Sequence, residues 1–318
     1  AMSAPEAEFW GRDSPPDPAP SHDDGAQSDT PSQRPQQRPG KQQQQQRGKG
    51  RQDRGGGDSP LEPVQRRERR PSLSRPERID LPLELREHKI FPHGLAEEMA
   101  GLVREAIEAG DLAQVHTTEF GKRAVAGESG RNNAFEKRWK TAVRDKVFLE
   151  KLSSCIRKFV QQCLPAAIDS HTNGYTAICY QAVPSLRIHM PHAPAHVLLH
   201  KDYDYFHQPN EINFWIPLVA GVRGSNSLAC ESAPGVGDYT PFEVGFGECI
   251  RFWGNQCRHY TQLNTTDTTR VSFDIRVVPL ELFDPAFPSP RGTVAFRLGE
   301  YYESVPVRSE SEPSSNSA

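Results

Sequence analysis

The sequence predicts a mainly β protein in which helices flank an antiparallel core of two sheets. Three observations support this class. From Tyr175 onward, apolar and polar residues alternate with a period of two, which is typical of half-buried strands. Turn residues interrupt this alternation every eight to twelve positions, a spacing found in sandwiches and barrels. Upstream of Tyr175, the apolar residues recur instead at helical spacing.

The first 78 residues differ in composition from the rest of the chain. They are crowded with Pro, Gln, Gly, Ser and Arg, and they hold too few apolar side chains to offset the entropy cost of ordering. Residues 1–30 carry a net charge of −6 and residues 31–70 a net charge of +7. We predict a disordered tail, acidic and then basic. Its basic part could make a weak contact with nucleic acid or another polyanion, and the alternative is a solvated tail without a partner.

Order is predicted to begin near Ile79, so that one domain covers residues 79–308 and a second disordered tail covers residues 309–318. Within the domain, residues 79–174 are predicted to give helical support. Two amphipathic helices are expected there, over Gly94–Gly110 and Asp145–Leu164, because apolar residues form one stripe along each. The Gly- and Asn-rich stretch Glu119–Asn133 between them is predicted to be a loop.

The jelly-roll core is predicted over residues 175–280. Eight runs alternate there, and eight antiparallel strands in two sheets make a jelly roll, also called a double-stranded β-helix. A later strand is expected within Gly292–Ser304. The eight runs are Ser185–Met190, His196–Tyr203, Glu211–Leu218, Ser225–Glu231, Phe242–Val244, Glu248–Trp253, Arg258–Leu263 and Thr269–Val278.

Three residues of this core are candidate metal ligands. His200 and Asp202 lie two apart, so an extended chain points both side chains to the same face. After His207, the sequence contains only one further histidine, His259. The second and seventh strands of a jelly roll are neighbours, which brings His259 towards the pair. Two imidazoles and one carboxylate occupy three corners of an iron(II) octahedron and leave the others open.

A candidate anion site follows this set. Arg270 lies eleven residues after His259, and Ser272 and Asp274 share its face of the last strand. An Arg fork binds a carboxylate with two hydrogen bonds, and a hydroxyl two residues on can add a third. This pattern suits the distal carboxylate of a dicarboxylic keto acid. The alternative is a salt bridge between Arg270 and Asp274 or a neighbouring strand.

Taken together, these motifs resemble those of iron(II)/2-oxoglutarate-dependent oxygenases of the phytanoyl-CoA hydroxylase-like group. The pattern is His-x-Asp, a distant His, Arg eleven residues later and Ser two residues after it. The phrases NEINFWIPL, GVGDYTP, FGECIRFWGN and NTTDTTRVSFDIRVVP are more closely similar to StrG-like oxygenases of streptomycin biosynthesis. The resemblance covers roughly residues 180–279.

The resemblance implies an enzyme with iron(II) as cofactor and 2-oxoglutarate and O2 as co-substrates. His200, Asp202 and His259 would hold the iron, and Arg270 and Ser272 would hold the C5 carboxylate of 2-oxoglutarate. The implied reaction hydroxylates a small polar molecule or secondary metabolite and releases succinate and CO2. Related halogenases lack the carboxylate, so the presence of Asp202 favours hydroxylation, desaturation or ring closure over halogenation.

Several residues keep two interpretations. Asn213 could hydrogen-bond the co-substrate or have a structural role. Arg187 could bind an anionic substrate or a surface carboxylate, and Arg276 could be a structural ion-pair partner.

Other residues near the triad could compete as metal ligands. His196, Asp204 and His207 lie nearby, but their spacing does not match the motif, and His189 and His192 are similarly ambiguous. The triad itself could be an ordinary strand-end pair and a core histidine.

Two other functions are weighed against the oxygenase. A non-catalytic jelly-roll binding protein with a nucleic-acid-binding tail would not need all five of the triad and anion-site residues. A cupin-type metal enzyme without a keto acid would have no use for Arg270 and Ser272, and it usually has His-x-His.

The sequence also indicates the cellular compartment. The six cysteines include no Cys-x-x-Cys pair, which favours reduced thiols over a disulfide framework or a zinc site. No apolar run approaches the roughly 20 residues of a membrane span, and the first residues lack the basic start and apolar core of a secretory signal. We expect a cytoplasmic protein without a membrane partner.

Overall fold

The computed structural model describes residues 81–126, 134–193, 197–289 and 295–307. The two predicted tails, residues 1–78 and 309–318, lie outside these ranges and stay predictions. Within the described residues, the helices are α1 (Ala96–Ile107), α2 (Glu119–Ala126), α3 (Ala134–Ala142), α4 (Lys146–Ala167) and α5 (Ser170–Asn173). The strands are β1 (Lys89–Pro92), β2 (Ala177–Gln181), β3 (Ser185–His189), β4 (Ile212–Pro217), β5 (Ala229–Cys230), β6 (Thr240–Pro241), β7 (Glu248–Phe252), β8 (His259–Tyr260), β9 (Arg270–Pro279) and β10 (Tyr302–Pro306).

Two antiparallel sheets form the core. The larger runs in the order β1-β7-β4-β9-β2-β10, with β3 also paired to β9, and the smaller runs in the order β6-β5-β8. An isolated antiparallel bridge between His200 and His259 adds the chain near His200 to the free side of β8. The first, third, sixth and eighth predicted runs therefore share one sheet. The fourth and seventh lie in the second sheet, and the second run joins it at His200. The fifth run, Phe242–Val244, follows β6 and contributes only an isolated bridge between Val244 and Val222. This alternation is the jelly-roll topology, and the predicted fold class is confirmed.

The register of β9 decides which side chains share the interior of the roll. Its antiparallel partners place Arg187 beside Ser272, Trp215 beside Asp274 and Asn213 beside Arg276. Because residues opposite each other in a sheet share a face, these side chains line one inner face of the larger sheet. The alternate residues, such as Phe273, point to the helical layer. The ring centroids of Phe273 and Trp139 lie 5.5 Å apart there.

The two predicted helices are present and cover the sheet. In α4, one stripe of the helix is buried, from Phe148 to Ala167, and the helix contacts β2 and β10. Asp145 is its N-cap, because its carboxylate accepts a hydrogen bond from the Phe148 N–H at 2.9 Å. No helix of the described residues is long and apolar enough to span a membrane.

Three predictions of local structure were wrong. Residues 119–126 of the predicted loop are the helix α2; its remainder, residues 127–133, lies outside the described ranges. The predicted strand His196–Tyr203 contributes only the bridge at His200, and Asp202 instead begins a 3-10 turn, Asp202–Tyr205. The larger sheet also contains β1, within the segment predicted to be helical support, and β2, which precedes the first predicted strand.

Candidate metal centre and anion site

The three predicted metal ligands converge. His200 lies at the bridge, Asp202 at the start of the 3-10 turn and His259 in β8, and one ligand atom from each lies within 4.8 Å of the others. The Nε2 atoms of His200 and His259 lie 3.5 and 3.8 Å from Oδ1 of Asp202. Among the described residues, this is the one group of three or more His, Cys, Asp and Glu that could hold a metal ion.

The backbone fixes the approach of these ligands. His200 and His259 exchange two main-chain hydrogen bonds, of 3.2 and 2.9 Å, so the bridge holds their rings together. The N–H groups of Asp202 and Tyr203 donate to the carbonyls of Gly254 and Asn255, at 3.0 and 3.2 Å. The turn that carries Asp202 is therefore held by the chain that follows β7.

Hydrogen bonds define the tautomer of both histidines. Nδ1 of His200 lies 2.7 Å from the carbonyl of Leu198, and Nδ1 of His259 lies 3.1 Å from the carbonyl of Cys257. A carbonyl only accepts, so each Nδ1 carries a proton, and Nε2 of each ring faces Asp202 and is the nitrogen available to a metal. Burial, followed by the neighbouring His200, lowers the pKa of His259 to about 3 against the opposing effect of Asp202. His259 is therefore neutral at ordinary pH, as a ligand must be.

Asp202 is held as a carboxylate by two donors. Its Oδ2 accepts from Nδ2 of Asn213 and from Nε of Arg276, each at 2.8 Å. Burial of the 1% exposed side chain opposes ionisation, but the charge of Arg276 outweighs it and holds the pKa of Asp202 well below its usual range. Oδ1 is left facing the two histidines.

Asn213 was predicted as a contact for the co-substrate or as a structural residue. The structure commits its amide N–H groups to Asp202 and, at 3.4 Å, to Oδ1 of Asp274, while its Oδ1 has no described hydrogen-bond partner. The contacts present are therefore those of a structural role next to the ligand. The co-substrate contact stays a prediction.

Arg270 is buried without a carboxylate partner among the described residues. Only 1% of its surface is exposed; Nη1 donates to Oγ of Ser272 at 3.3 Å, and Nε and Nη2 have no described hydrogen-bond partner. Burial, followed by the charge of Arg187, lowers the pKa of Arg270 to about 9. The guanidinium lies 5.5 Å from the ring centroid of Trp215. An unpaired buried charge is costly, so this site is suited to an anionic ligand.

The alternative ion pair of Arg270 with Asp274 is not formed. Asp274 pairs instead with Arg276, at 3.5 Å between Oδ2 and Nη2. Arg187, opposite Ser272 on the same inner face, makes no ion pair with any carboxylate of the described ranges. The side chains of Arg270, Arg187 and Ser272 thus lie side by side on the inner face. A bound anion would offset the repulsion between the two arginines.

The competing ligands lie elsewhere. Nδ1 of His207 is 2.8 Å from Oε2 of Glu211, and its ring stacks on Phe296 at 4.6 Å. Glu211 also accepts from the hydroxyl of Tyr302. Asp204 is exposed, His189 and His192 are not in the metal-ligating group, and His196 is outside the described residues. The sequence analysis missed the Glu211–Tyr302 contact, which no spacing in the sequence indicates.

The sequence analysis left the ion-pair partner of Arg276 undefined, and this partner is part of the candidate metal centre. The place of Arg276 two residues beyond Asp274 on the alternating face of β9 was visible in the sequence. Its partner was not, because Asp202 is 74 positions earlier in the chain and in the other part of the roll. The structural ion pair considered for Arg276 is thus formed with a candidate metal ligand.

Comparisons with known proteins agree with the motifs. No protein-family model matches the chain. The chain is 29% identical over 211 residues to the streptomycin biosynthesis protein StrG of Streptomyces griseus, a match that covers 65% of this chain and 92% of StrG. The resemblance to StrG-like proteins, first drawn from short phrases, is thereby confirmed over most of that protein's length.

Solved structures give weaker similarities. The carbocyclase SnoK and the epimerase SnoN, non-heme α-ketoglutarate-dependent enzymes of nogalamycin biosynthesis, have TM-scores of 0.40 and 0.38 at 14% and 15% identity. These matches cover 70% and 71% of this chain and 93% and 92% of theirs. The viral collagen prolyl hydroxylase of Paramecium Bursaria Chlorella virus-1 has a TM-score of 0.34 at 11% identity, covering 67% of this chain and 100% of that one. Scores of this size carry no weight in the functional assignment.

Proposed function

We propose that this chain is an iron(II)- and 2-oxoglutarate-dependent oxygenase that hydroxylates a small polar molecule. The observation that carries the proposal is the joint presence of two features. Two imidazole lone pairs and one carboxylate oxygen converge at His200, His259 and Asp202, and the inner face of β9 holds Arg270, a buried cation with two unpaired N–H groups. A metal enzyme without a keto acid has no use for the second feature.

The donor set fits iron(II). Two neutral imidazoles and a carboxylate are the ligands of the facial triad, which leaves three corners of an octahedron open. When bound, iron(II) supplies the activation of O2, coupled to oxidative decarboxylation of 2-oxoglutarate. The balanced reaction converts substrate, O2 and 2-oxoglutarate into hydroxylated substrate, succinate and CO2.

The residues of this chain bind and orient the reactants. Arg270 offers Nε and Nη2 as a fork to the distal carboxylate of 2-oxoglutarate, and Ser272 offers its hydroxyl beside them. Trp215 packs under the guanidinium and helps to exclude water. Asp202 occupies the position that a halide would need, which favours hydroxylation over halogenation.

The substrate class rests on similarity to StrG. StrG is a streptomycin biosynthesis protein, which favours a small polar secondary metabolite. A thermal-shift screen of such molecules, with Mn²⁺ and N-oxalylglycine present to block turnover, would identify candidates.

The decisive test compares Asp202→Ala with Asp204→Ala. Asp202 is a proposed ligand, whereas Asp204 is an exposed acid two residues later in the same turn. We expect Asp202→Ala to abolish iron(II) binding and 2-oxoglutarate-dependent succinate formation, and Asp204→Ala to leave both intact. Iron binding without any response to 2-oxoglutarate would favour the cupin-type alternative. A wild-type protein indifferent to both would favour a non-catalytic binding protein.

A further inference from the structure

The two oxygens of Asp202 have different surroundings. Oδ1 faces Nε2 of His200 and of His259. Oδ2 accepts two hydrogen bonds of 2.8 Å, from Asn213 on β4 and from Arg276 on β9. These two strands are neighbours, and Asn213 and Arg276 are direct partners in their register. One oxygen is therefore open to a ligand site and the other is saturated.

Arg276 is itself fixed from several sides. Its Nη2 lies 3.5 Å from Oδ2 of Asp274, and its Nη1 donates to Oε1 of Gln181 at 3.4 Å and to the hydroxyl of Tyr301 at 3.5 Å. Only 7% of its surface is exposed. With each of its nitrogens engaged, Arg276 cannot easily follow Asp202 if the carboxylate rotates.

We propose that Arg276, together with Asn213, is a positioning residue that restricts Asp202 to one-oxygen coordination of the metal. This inference rests on the proposed iron site. A carboxylate can bind a metal through one oxygen or both, and binding through both would break the two hydrogen bonds to Oδ2. It would also fill one of the three open positions, two of which the keto acid needs and one of which O2 needs. Arg276 and Asn213 thus keep one coordination position of the metal free and also orient the ligand Asp202.

The test measures open positions directly, on metal-loaded protein without turnover. Mn²⁺ is bound to the full chain, and the number of rapidly exchanging waters on the ion is obtained from the relaxation of water protons. We expect about three waters in the wild type and about two in Arg276→Met, because the released carboxylate binds through both oxygens. The affinity of the Mn²⁺ protein for 2-oxoglutarate is expected to fall about 10- to 100-fold.

Two further variants separate positioning from stability. Arg276→Lys retains a donor that can reach Oδ2 and should restore most of the water count and keto-acid affinity. Arg251 is another buried arginine, but its side chain donates to the carbonyls of Ala167 and Glu84 on the outer side of the sheet. Arg251→Met should lower the melting temperature and leave the bound waters unchanged.

If Arg276→Met does not fold, Asn213→Leu removes the other donor to Oδ2 and should shift the water count in the same direction. A folded Arg276→Met that keeps three waters and wild-type affinity for 2-oxoglutarate would overturn the positioning role and leave the proposed function standing. A wild-type protein that binds no Mn²⁺ would overturn both.

Discussion

At the scale of single residues, Arg270 combines burial with an incomplete set of hydrogen bonds. Replacing a buried ion pair by apolar side chains of similar volume is often neutral or stabilising by about 1–4 kcal/mol, and the charge of Arg270 lacks even a partner among the described carboxylates. We therefore expect Arg270→Met to raise the melting temperature of the protein without keto acid. The same variant should lose the stabilisation that 2-oxoglutarate confers on the wild type, and differential scanning fluorimetry with and without 2-oxoglutarate measures both effects.

Truncation gives the complementary result. Arg270→Ala should weaken 2-oxoglutarate binding by the energy of a charge-assisted hydrogen bond, about 2–3 kcal/mol, which is roughly 30- to 150-fold in Kd. An unchanged dependence on 2-oxoglutarate would remove Arg270 from its proposed role. Arg251→Met is the matched control, since that arginine has partners and its loss should be destabilising.

His259 gives the site a defined response to acid. Its folded-state pKa of about 3 lies below the ordinary value of about 6.5, so the unfolded chain binds a proton between these values and the folded chain does not. Its contribution to stability is therefore present above pH 6.5 and is lost as the pH falls towards 3. In metal-free protein, lowering the pH from 7 to 5 should reduce the unfolding free energy of the wild type by about 1–2 kcal/mol more than that of His259→Gln.

Urea unfolding at the two pH values, with a chelator present, measures this difference. His171, an exposed histidine in α5, supplies the control variant His171→Gln, measured in the same way. If the difference in unfolding free energy between wild type and His259→Gln did not depend on pH, His259 would take up a proton in the folded protein as readily as in the unfolded chain.

Spacing along one strand predicted the shared face of the series from Arg270 to Arg276 in β9. His200 and Asp202 do converge with His259, but not as neighbours along a strand, because Asp202 lies in a 3-10 turn. What alternation cannot give is the reach and partner of a long side chain. It placed Arg276 on the correct face but could not show that its guanidinium crosses to Asp202, and it could not show that Asp274 pairs with Arg276 rather than with Arg270.

At the scale of elements, long periodic segments were predicted well and short ones were not. Strand β9 and helix α4 agree with their predictions to within a few residues, because each holds one pattern over ten residues or more. The chain near His200 was wrongly predicted as a strand through Tyr203. Its main-chain hydrogen bonds to Thr261 and His259 stop at His200, and from Asp202 onward the chain is a 3-10 turn bonded to the Gly254 loop.

The missed helix α2 has a different cause. Gly121 was counted as a loop signal, but a Cβ at this position would lie 1.9 Å from the carbonyl oxygen of Val115. The glycine is therefore needed for close packing of α2 against the preceding 3-10 turn, Leu112–Thr117. Composition cannot distinguish a glycine that bends the chain from one that lets two segments touch.

Gly254 offers a test of how the elements support the metal centre. It lies two residues after the end of β7, and a Cβ there would lie 2.7 Å from Oδ1 of Asn213 and 2.7 Å from a ring carbon of Phe252. We expect Gly254→Ala to destabilise the protein by about 1–3 kcal/mol and to weaken Mn²⁺ binding, because it displaces Asn213 from Asp202.

Gly101, in the middle of α1, is the matched control for this substitution. A Cβ there meets only Nη2 of Arg104, at an ordinary 3.8 Å, so Gly101→Ala should be neutral or stabilising by up to about 1 kcal/mol. Equal Mn²⁺ affinity in both variants would show that the packing of Gly254 does not reach the site.

At the scale of the whole molecule, the domain boundary near residue 79 is still a prediction, and the described contacts indicate where it can be tested. Leu81 and Leu85 are buried in the core at 2% and 0% exposure, and the N–H of Leu81 donates to Oδ1 of Asn210 at 3.1 Å. The carbonyl of Glu84 accepts from Arg251. The domain therefore uses the chain from Leu81 onward.

Two truncations that differ by eight residues separate the tail from the domain. Removal of residues 1–78 should leave Mn²⁺ and 2-oxoglutarate binding and the melting temperature unchanged, because every described contact of the site lies beyond it. Removal of residues 1–86 deletes two buried leucines, each worth about 2–5 kcal/mol when truncated to alanine, together with a partner of Arg251, and should unfold the protein or lower its melting temperature sharply. Thermal unfolding and Mn²⁺ titration of the two proteins measure this difference. Loss of the fold in the shorter deletion would place the boundary before residue 79 and contradict the predicted extent of the tail.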